Sequence, residues 1–232
     1  MANISLFIGS IRPLPESGRP TGIYKTPVRD PLQLGSAGFH GDQQADRRVH
    51  GGPDKAVHLY PSAHYATLAA RFPAAAGQLL PGSMGENIAC AELDEAAVRP
   101  GDIWSLGEAR LQVCQPRSPC WKIDERFGCD GMAAFIAEQR LTGWYCRVLT
   151  PGLVAPGDEL QREQAAGDSP TLAAALALCQ EHRPDLTELA RLAAVDGIAA
   201  NWRSKIEQRL AWLRRETDRP PAPAFHVKPE QA

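Results

Sequence analysis

Up to about residue 165 the chain is cut repeatedly by glycine or proline, and the stretches between the cuts are short and β-like. Ile4 to Ile8, Ala56 to Tyr60, Ile103 to Leu106, Leu111 to Cys114, Tyr145 to Leu149 and Glu159 to Gln161 are strand candidates. Turn signals such as Pro100-Gly101-Asp102, Gly107-Glu108 and Pro156-Gly157-Asp158 bound several of them. Ile103 to Leu106 and Leu111 to Cys114 flank a short turn and read as a hairpin. Helices are few here: Pro61 to Phe72, and Met132 to Arg140. Many short strands with few helices predict a β-barrel-like domain over residues 1–165.

The pattern then changes. Asp168-Ser169-Pro170 is a helix-start signal, followed by Leu172, Leu176 and Leu178 as an apolar face. Asp185-Leu186-Thr187-Glu188 resembles a capping box ahead of Leu189 and Leu192. Asp196 to Arg215 carries Ile198, Trp202, Ile206, Leu210 and Leu213 at helical spacing. The expected class is therefore mainly β with some α: a barrel, then a three-helix unit over 166–216. The remaining 217–232, with Pro220, Pro221, Pro223 and Pro229, is expected to be disordered.

Composition excludes several roles. The 232 residues are 44% hydrophobic and 22% charged, with a formal net charge of -2, so no general attraction to nucleic acid or anionic membrane is expected. The six cysteines form no CxxC pair and do not read as a disulfide framework. The N-terminus lacks a basic region, and no apolar run approaches the ~20 residues needed to span a bilayer. The expected compartment is the cytoplasm.

Three segments carry candidate chemistry. Gln115-Pro116-Arg117-Ser118-Pro119-Cys120-Trp121-Lys122 follows a strand-like run, and its prolines are expected to stop the ladder and stiffen the backbone. Cys120 lies between Arg117 and Lys122, and positive charge favours the thiolate, the form that attacks or binds metal. A small buried cysteine beside surface charges is the plainer alternative. In the second segment, Gly38-Phe39-His40-Gly41-Asp42 precedes His50-Gly51-Gly52-Pro53-Asp54-Lys55. This is either a wide turn or an anion cradle in which glycines let backbone amides approach closely. The third, Met84-Gly85-Glu86-Asn87, offers an amide suited to a heterocycle edge, or forms a β-turn with exposed polar groups. No HExxH or paired CxxC spacing indicates zinc, and His58, in a strand, reads as packed or hydrogen-bonded.

Together, and in this order, these segments and Gly143-Trp144-Tyr145 resemble the signatures of the MOSC family, named for the C-terminal domain of molybdenum cofactor sulfurases. The helical C-terminal unit makes the chain similar to the bacterial YiiM-like branch, whose members carry three helices after a MOSC-type β-barrel. The resemblance spans about residues 10 to 215. Two positions depart from the ideal pattern: Val49 stands where relatives often have a second histidine, and Trp121 fills a variable place.

The resemblance implies molybdenum cofactor (molybdopterin) with Cys120 as catalytic residue and molybdenum ligand. It places Gly41, Asp42, His50, Gly51, Gly52, Lys55, Asn87, Arg117 and Lys122 around the cofactor. It further implies reduction of small N-hydroxylated compounds, such as the base analogue hydroxylaminopurine, in the detoxification that underlies resistance to it. A soft thiolate suits that metal. No flavin or iron–sulfur motif is present, so a separate electron-donating reductase is the expected partner, with neither nucleic acid nor membrane. A persulfide carrier using Cys120 is the alternative, although no length remains for a desulfurase domain. Helix-turn-helix DNA binding is disfavoured by the mixed charge of residues 168–215.

Overall fold

A computed structural model describes residues 2–46 and 51–217. Its centre is a closed seven-stranded β-barrel. Ala2–Ile8 pairs antiparallel with Ile88–Cys90 and with Glu159–Gln164. Val57–Pro61 runs parallel to Ile88–Cys90 and antiparallel to Trp144–Thr150. Ala109–Pro116 lies between Trp144–Thr150 and Ile103–Leu106, and Glu159–Gln164 completes the ring against Ile103–Leu106. Closure leaves these strands no open edge to aggregate.

Side-chain alternation explains which face goes inward. Ile4 and Leu6 of Ala2–Ile8 are buried while Asn3 and Ser5 are exposed. Val57–Pro61 is buried at every position. Val57 and Leu59 enter the barrel core, whereas Tyr60 joins a second cluster outside it with Tyr65, Leu68, Met84, Ile123 and Ile136. Helices His64–Arg71, Lys122–Phe127 and Met132–Glu138 cover that outer face.

The C-terminal unit consists of helices Leu172–Gln180, Leu186–Ala194 and Ala200–Thr217. Thr171 caps the first, accepting from Ala174 N at 3.2 Å. Asp185 caps the second, accepting from Thr187 N at 2.7 Å and Glu188 N at 3.1 Å. The unit docks on the barrel by backbone as well as side chain. Leu172 N donates to Val98 O at 2.7 Å, and Ala199 N to Cys114 O at 2.9 Å. Leu172, Leu176 and Trp202 pack against the barrel core. Gly197 is needed at this junction, because its φ is +85° and a Cβ would stand 2.3 Å from Gln112 Nε2.

Pro116 is itself the last paired residue of its strand, opposite Trp144, and the ladder stops there as expected. A proline that closes a strand donates nothing there and costs nothing. Pro170 stands directly ahead of the Thr171 cap, near the helix start as expected. Several other expectations are corrected. Pro61 ends a strand, and its helix begins later, at His64. Leu172 and Leu176 face the barrel while Leu178 packs within the helical cluster, so they are not one face. Helix Lys122–Phe127 and strand Ile88–Cys90 were not anticipated. The expectation of a disordered tail falls, beyond Thr217, outside the described residues. Among the described residues no helix is long and apolar enough to cross a membrane.

Candidate functional site

The three segments singled out in the sequence meet in one cleft. Asp42, Lys55, Asn87, Arg117, Cys120 and Lys122 all line it, joined by Lys25, His58 and Tyr145. Cys120 is half-buried on the turn between Ala109–Pro116 and helix Lys122–Phe127, and its carbonyl accepts the Ile123 N–H at 2.9 Å. Arg117 N donates to Gly143 O at 3.1 Å, which ties this turn to the neighbouring strand.

Gly143 has a positive φ of 62°, and a Cβ would stand 2.3 Å from Leu59 O. Only glycine fits there. Its N–H donates to Glu95 Oε1 at 2.7 Å, and Glu95 Oε2 meets His64 Nε2 at 2.8 Å. This buried network holds the start of Trp144–Thr150 and so the place of Tyr145. The Tyr145 ring lies 5.9 Å from Lys55 Nζ and 5.1 Å from the His58 ring.

The floor is a second network. Asp42 Oδ1 accepts from Lys25 Nζ at 2.5 Å and from Gly9 N at 2.9 Å. Asp42 Oδ2 accepts from Asn87 Nδ2 at 2.9 Å. Asn87 Nδ2 also donates to Phe7 O at 3.3 Å, and its Oδ1 accepts from His58 N at 3.2 Å. The Asn87 amide is therefore occupied in holding two barrel strands. Its neighbour Glu86 is fully buried, accepting from Tyr65 O–H at 2.5 Å and Gly82 N at 2.6 Å. The reading of Met84-Gly85-Glu86-Asn87 as a turn with exposed polar groups is thus overturned. Burial pushes the Glu86 carboxyl above its ordinary range.

The glycine segment behaves differently from a cradle. Gly41, Gly51 and Gly52 do not line the cleft. Gly52, at φ +96°, opens the short 3-10 turn Pro53–Lys55, and its carbonyl accepts the Lys55 N–H at 2.9 Å. That turn presents Lys55, while Asp54 pairs with Arg147 at 2.8 Å. His50 and Val49 lie outside the described residues. Lys122 lines the cleft but donates to Pro20 O at 2.9 Å.

Among the described residues that line the cleft, Lys25, Lys55, Arg117 and Lys122 are cationic and Asp42 is acidic, so the lining is net cationic. Burial, then Lys205, lowers the Lys55 pKa, while Asp54 works the other way. Burial, then Arg117, holds His58 well below the usual imidazole range, so its ring is neutral. Burial raises the Tyr145 phenol, against the pull of Arg117. Arg117 is 8% exposed, and among the described residues its Nη1 has no hydrogen-bond partner; neither has His58 Nε2. A buried guanidinium nitrogen left unpaired is costly, so an anionic or polar ligand beside Cys120 would relieve it. Lys25 and His58 escaped the sequence reading of the site. Lys25 has no local motif, and its partner Asp42 becomes a neighbour only through folding.

Fold and site together are a β-barrel whose cleft gathers a thiol and several cations. The chain belongs to the MOSC domain family, in its YiiM-like branch: the MOSC domain model matches residues 46–161, and the YiiM-like, 3-alpha helix domain model matches 170–211. It is similar to Protein YiiM of Escherichia coli, 34% identical over 89% of this chain and 91% of that protein. The crystal structure of Escherichia coli YiiM superposes with a TM-score of 0.77 at 28% identity, over 91% of this chain and 92% of the other. A Gibberella moniliformis protein named Reductase is 33% identical over 60% of this chain, which corresponds to 25% of that longer protein.

Proposed function

We propose that the protein is a molybdenum-cofactor-dependent reductase of small N-hydroxylated compounds, with N-hydroxylated base analogues such as hydroxylaminopurine as the substrate class. One observation carries the reading: half-buried Cys120 shares a cleft with buried Arg117, whose Nη1 is unpaired among the described residues. MOSC membership and the name of the fungal relative support it. The donor set fits the group, since a soft thiolate suits molybdenum and the Arg117 guanidinium and the Lys55 ammonium suit its anionic oxygens and phosphate.

When bound, the cofactor supplies the two-electron step in which an N–OH takes up two electrons and two protons, leaving an N–H and water. The protein's share is binding and orientation. Cys120 would ligate the metal as thiolate. Arg117 and Lys55 would hold anionic oxygens, and neutral His58 would present a ring nitrogen without adding charge. Asp42 and Asn87 act from beneath, keeping Lys25 and the His58 strand in place. The reducing electrons come from a separate electron-donating reductase, and the setting is the cytoplasm.

The test is expression in a host that makes the cofactor, followed by molybdenum and pterin analysis and assay of hydroxylaminopurine reduction with reduced viologen. The expected result is metal and pterin in the purified protein and turnover that Cys120→Ser abolishes without unfolding it, because a hydroxyl is a harder, far less acidic ligand. Near-normal turnover of Cys120→Ser with molybdenum bound removes Cys120 as the ligand. Sulfane sulfur on Cys120, with neither molybdenum nor pterin, makes the protein a sulfur carrier instead.

A further inference from the structure

A second cavity of about 420 Å³ lies between the barrel and the helical unit, within the ~300–1,000 Å³ typical of small-molecule sites. One wall is Gln115 to Pro119, the run that ends at Cys120; another is the helix Ala200–Thr217. Lys55, Arg117, Lys205 and Arg209 line it, and among the described residues no Asp or Glu does. Lys55 and Arg117 line the Cys120 cleft as well, so the two spaces meet at these side chains.

Cations that line one cavity repel one another, although Asp54 beside Lys55 and Glu86 near Arg117 offset part of this. Lys205 contributes to the lowered Lys55 pKa, which is that repulsion seen from one partner. Arg209 is fixed in place, donating to Cys179 O and Glu181 O at the end of helix Leu172–Gln180. Solvated surface lysines would explain Lys205 alone, because it is exposed. They do not explain Arg117, buried on the other wall with Nη1 unpaired among the described residues. An anion placed among these groups removes the repulsion and gives the guanidinium a partner.

We propose that this cavity is a phosphate subsite for the substrate, so that the protein takes nucleotides of the nucleoside-monophosphate class, with the phosphate among Lys55, Arg117 and Lys205, beside Arg209, and the base towards Cys120. The proposal deepens the reductase reading and rests on it. Its consequence is that the helical unit contributes to substrate choice, which no residue of the barrel motifs indicates.

The experiment is calorimetric binding of adenosine monophosphate, adenosine and inorganic phosphate to the full chain, with and without bound cofactor. Adenosine monophosphate is expected to bind at least about tenfold more tightly than adenosine, the effect of one charge-assisted contact. Lys205→Ala should erase that preference without changing the melting temperature, and Lys205→Arg should restore much of it. Cofactor content should be the same in Lys205→Ala as in the parent. Equal affinity for nucleotide and nucleoside, or a preference that survives Lys205→Ala, overturns the subsite. If Lys205→Ala instead loses cofactor, and the loaded parent no longer binds the nucleotide, the phosphate belongs to the cofactor and the proposal is wrong. Absence of molybdenum from the protein defeats the reductase reading but leaves the nucleotide preference measurable, so the two failures are distinguishable.

Discussion

Asp42→Asn should be among the most damaging single-atom changes in this protein. The Lys25 and Asp42 side chains are 5% and 3% exposed, and Nζ stands 2.5 Å from Oδ1. Asp42 is acceptor-only, and it takes three donors: Lys25 Nζ, Gly9 N and Asn87 Nδ2. Asparagine keeps one oxygen and turns the other into a donor. That donor must face Asn87 Nδ2 or Lys25 Nζ, donor against donor. Lys25 is also left as a buried charge without its counter-charge. Removing one partner of a buried ion pair costs about 3–5 kcal/mol. In a domain of this size each kcal/mol is worth about 2–4 °C, so a fall of about 6–20 °C is expected in thermal unfolding followed by circular dichroism. The double variant Lys25→Met, Asp42→Leu removes both charges and should melt above Asp42→Asn. An Asp42→Asn melting point within about 2 °C of the parent's, or a double variant no better than the single, would refute this account of the floor.

Three further expectations concern other parts of the molecule. Lys55→Ala should strip cofactor from the purified protein while lowering the melting temperature little; unchanged molybdenum occupancy would mean that Lys55 does not grip it. His58 gives a pH signature. Burial holds its folded pKa well below 6.5, whereas the unfolded chain protonates near ~6.5. Stability from this group is thus full above ~6.5 and falls as pH drops below it, by up to about 1.4 kcal/mol per unit. The difference between parent and His58→Gln isolates this slope, since buried Glu86, raised above 4.5, acts with the opposite sign in both proteins. Parallel curves would show that His58 is not held neutral. Finally, Leu172→Ala, at a side chain with 0% exposure that seals the barrel with the helical unit, should cost about 2–5 kcal/mol in denaturant unfolding. A loss below about 1 kcal/mol would mean that the two units are only loosely joined.

Local chemistry written into the chain settled much of the architecture. Glycine and proline spacing marked most of the barrel strands, because a period of two and a turn residue are properties of neighbours. Asp185 was recognisable as a cap for the same reason, since its hydrogen bonds go to residues two and three positions on. The motif around Cys120 stood out because proline, cysteine and cations in one short run are uncommon together.

Contacts between distant residues decided the rest. Ile88–Cys90 is only three residues long and gains its partners from Ala2–Ile8 and Val57–Pro61, so no window of sequence displays it. Glu86 and Asn87 looked like exposed turn residues, and only the packing of Tyr65 and Asp42 around them makes them buried supports. Lys25 enters the cleft through a carboxylate seventeen residues away, and Lys205 reaches the neighbourhood of Lys55 because the last helix docks on the barrel. Neither placement follows from local pattern. Periodicity and caps report which element forms, whereas the distance between two side chains far apart in sequence is set only when the barrel closes and the helices pack on it.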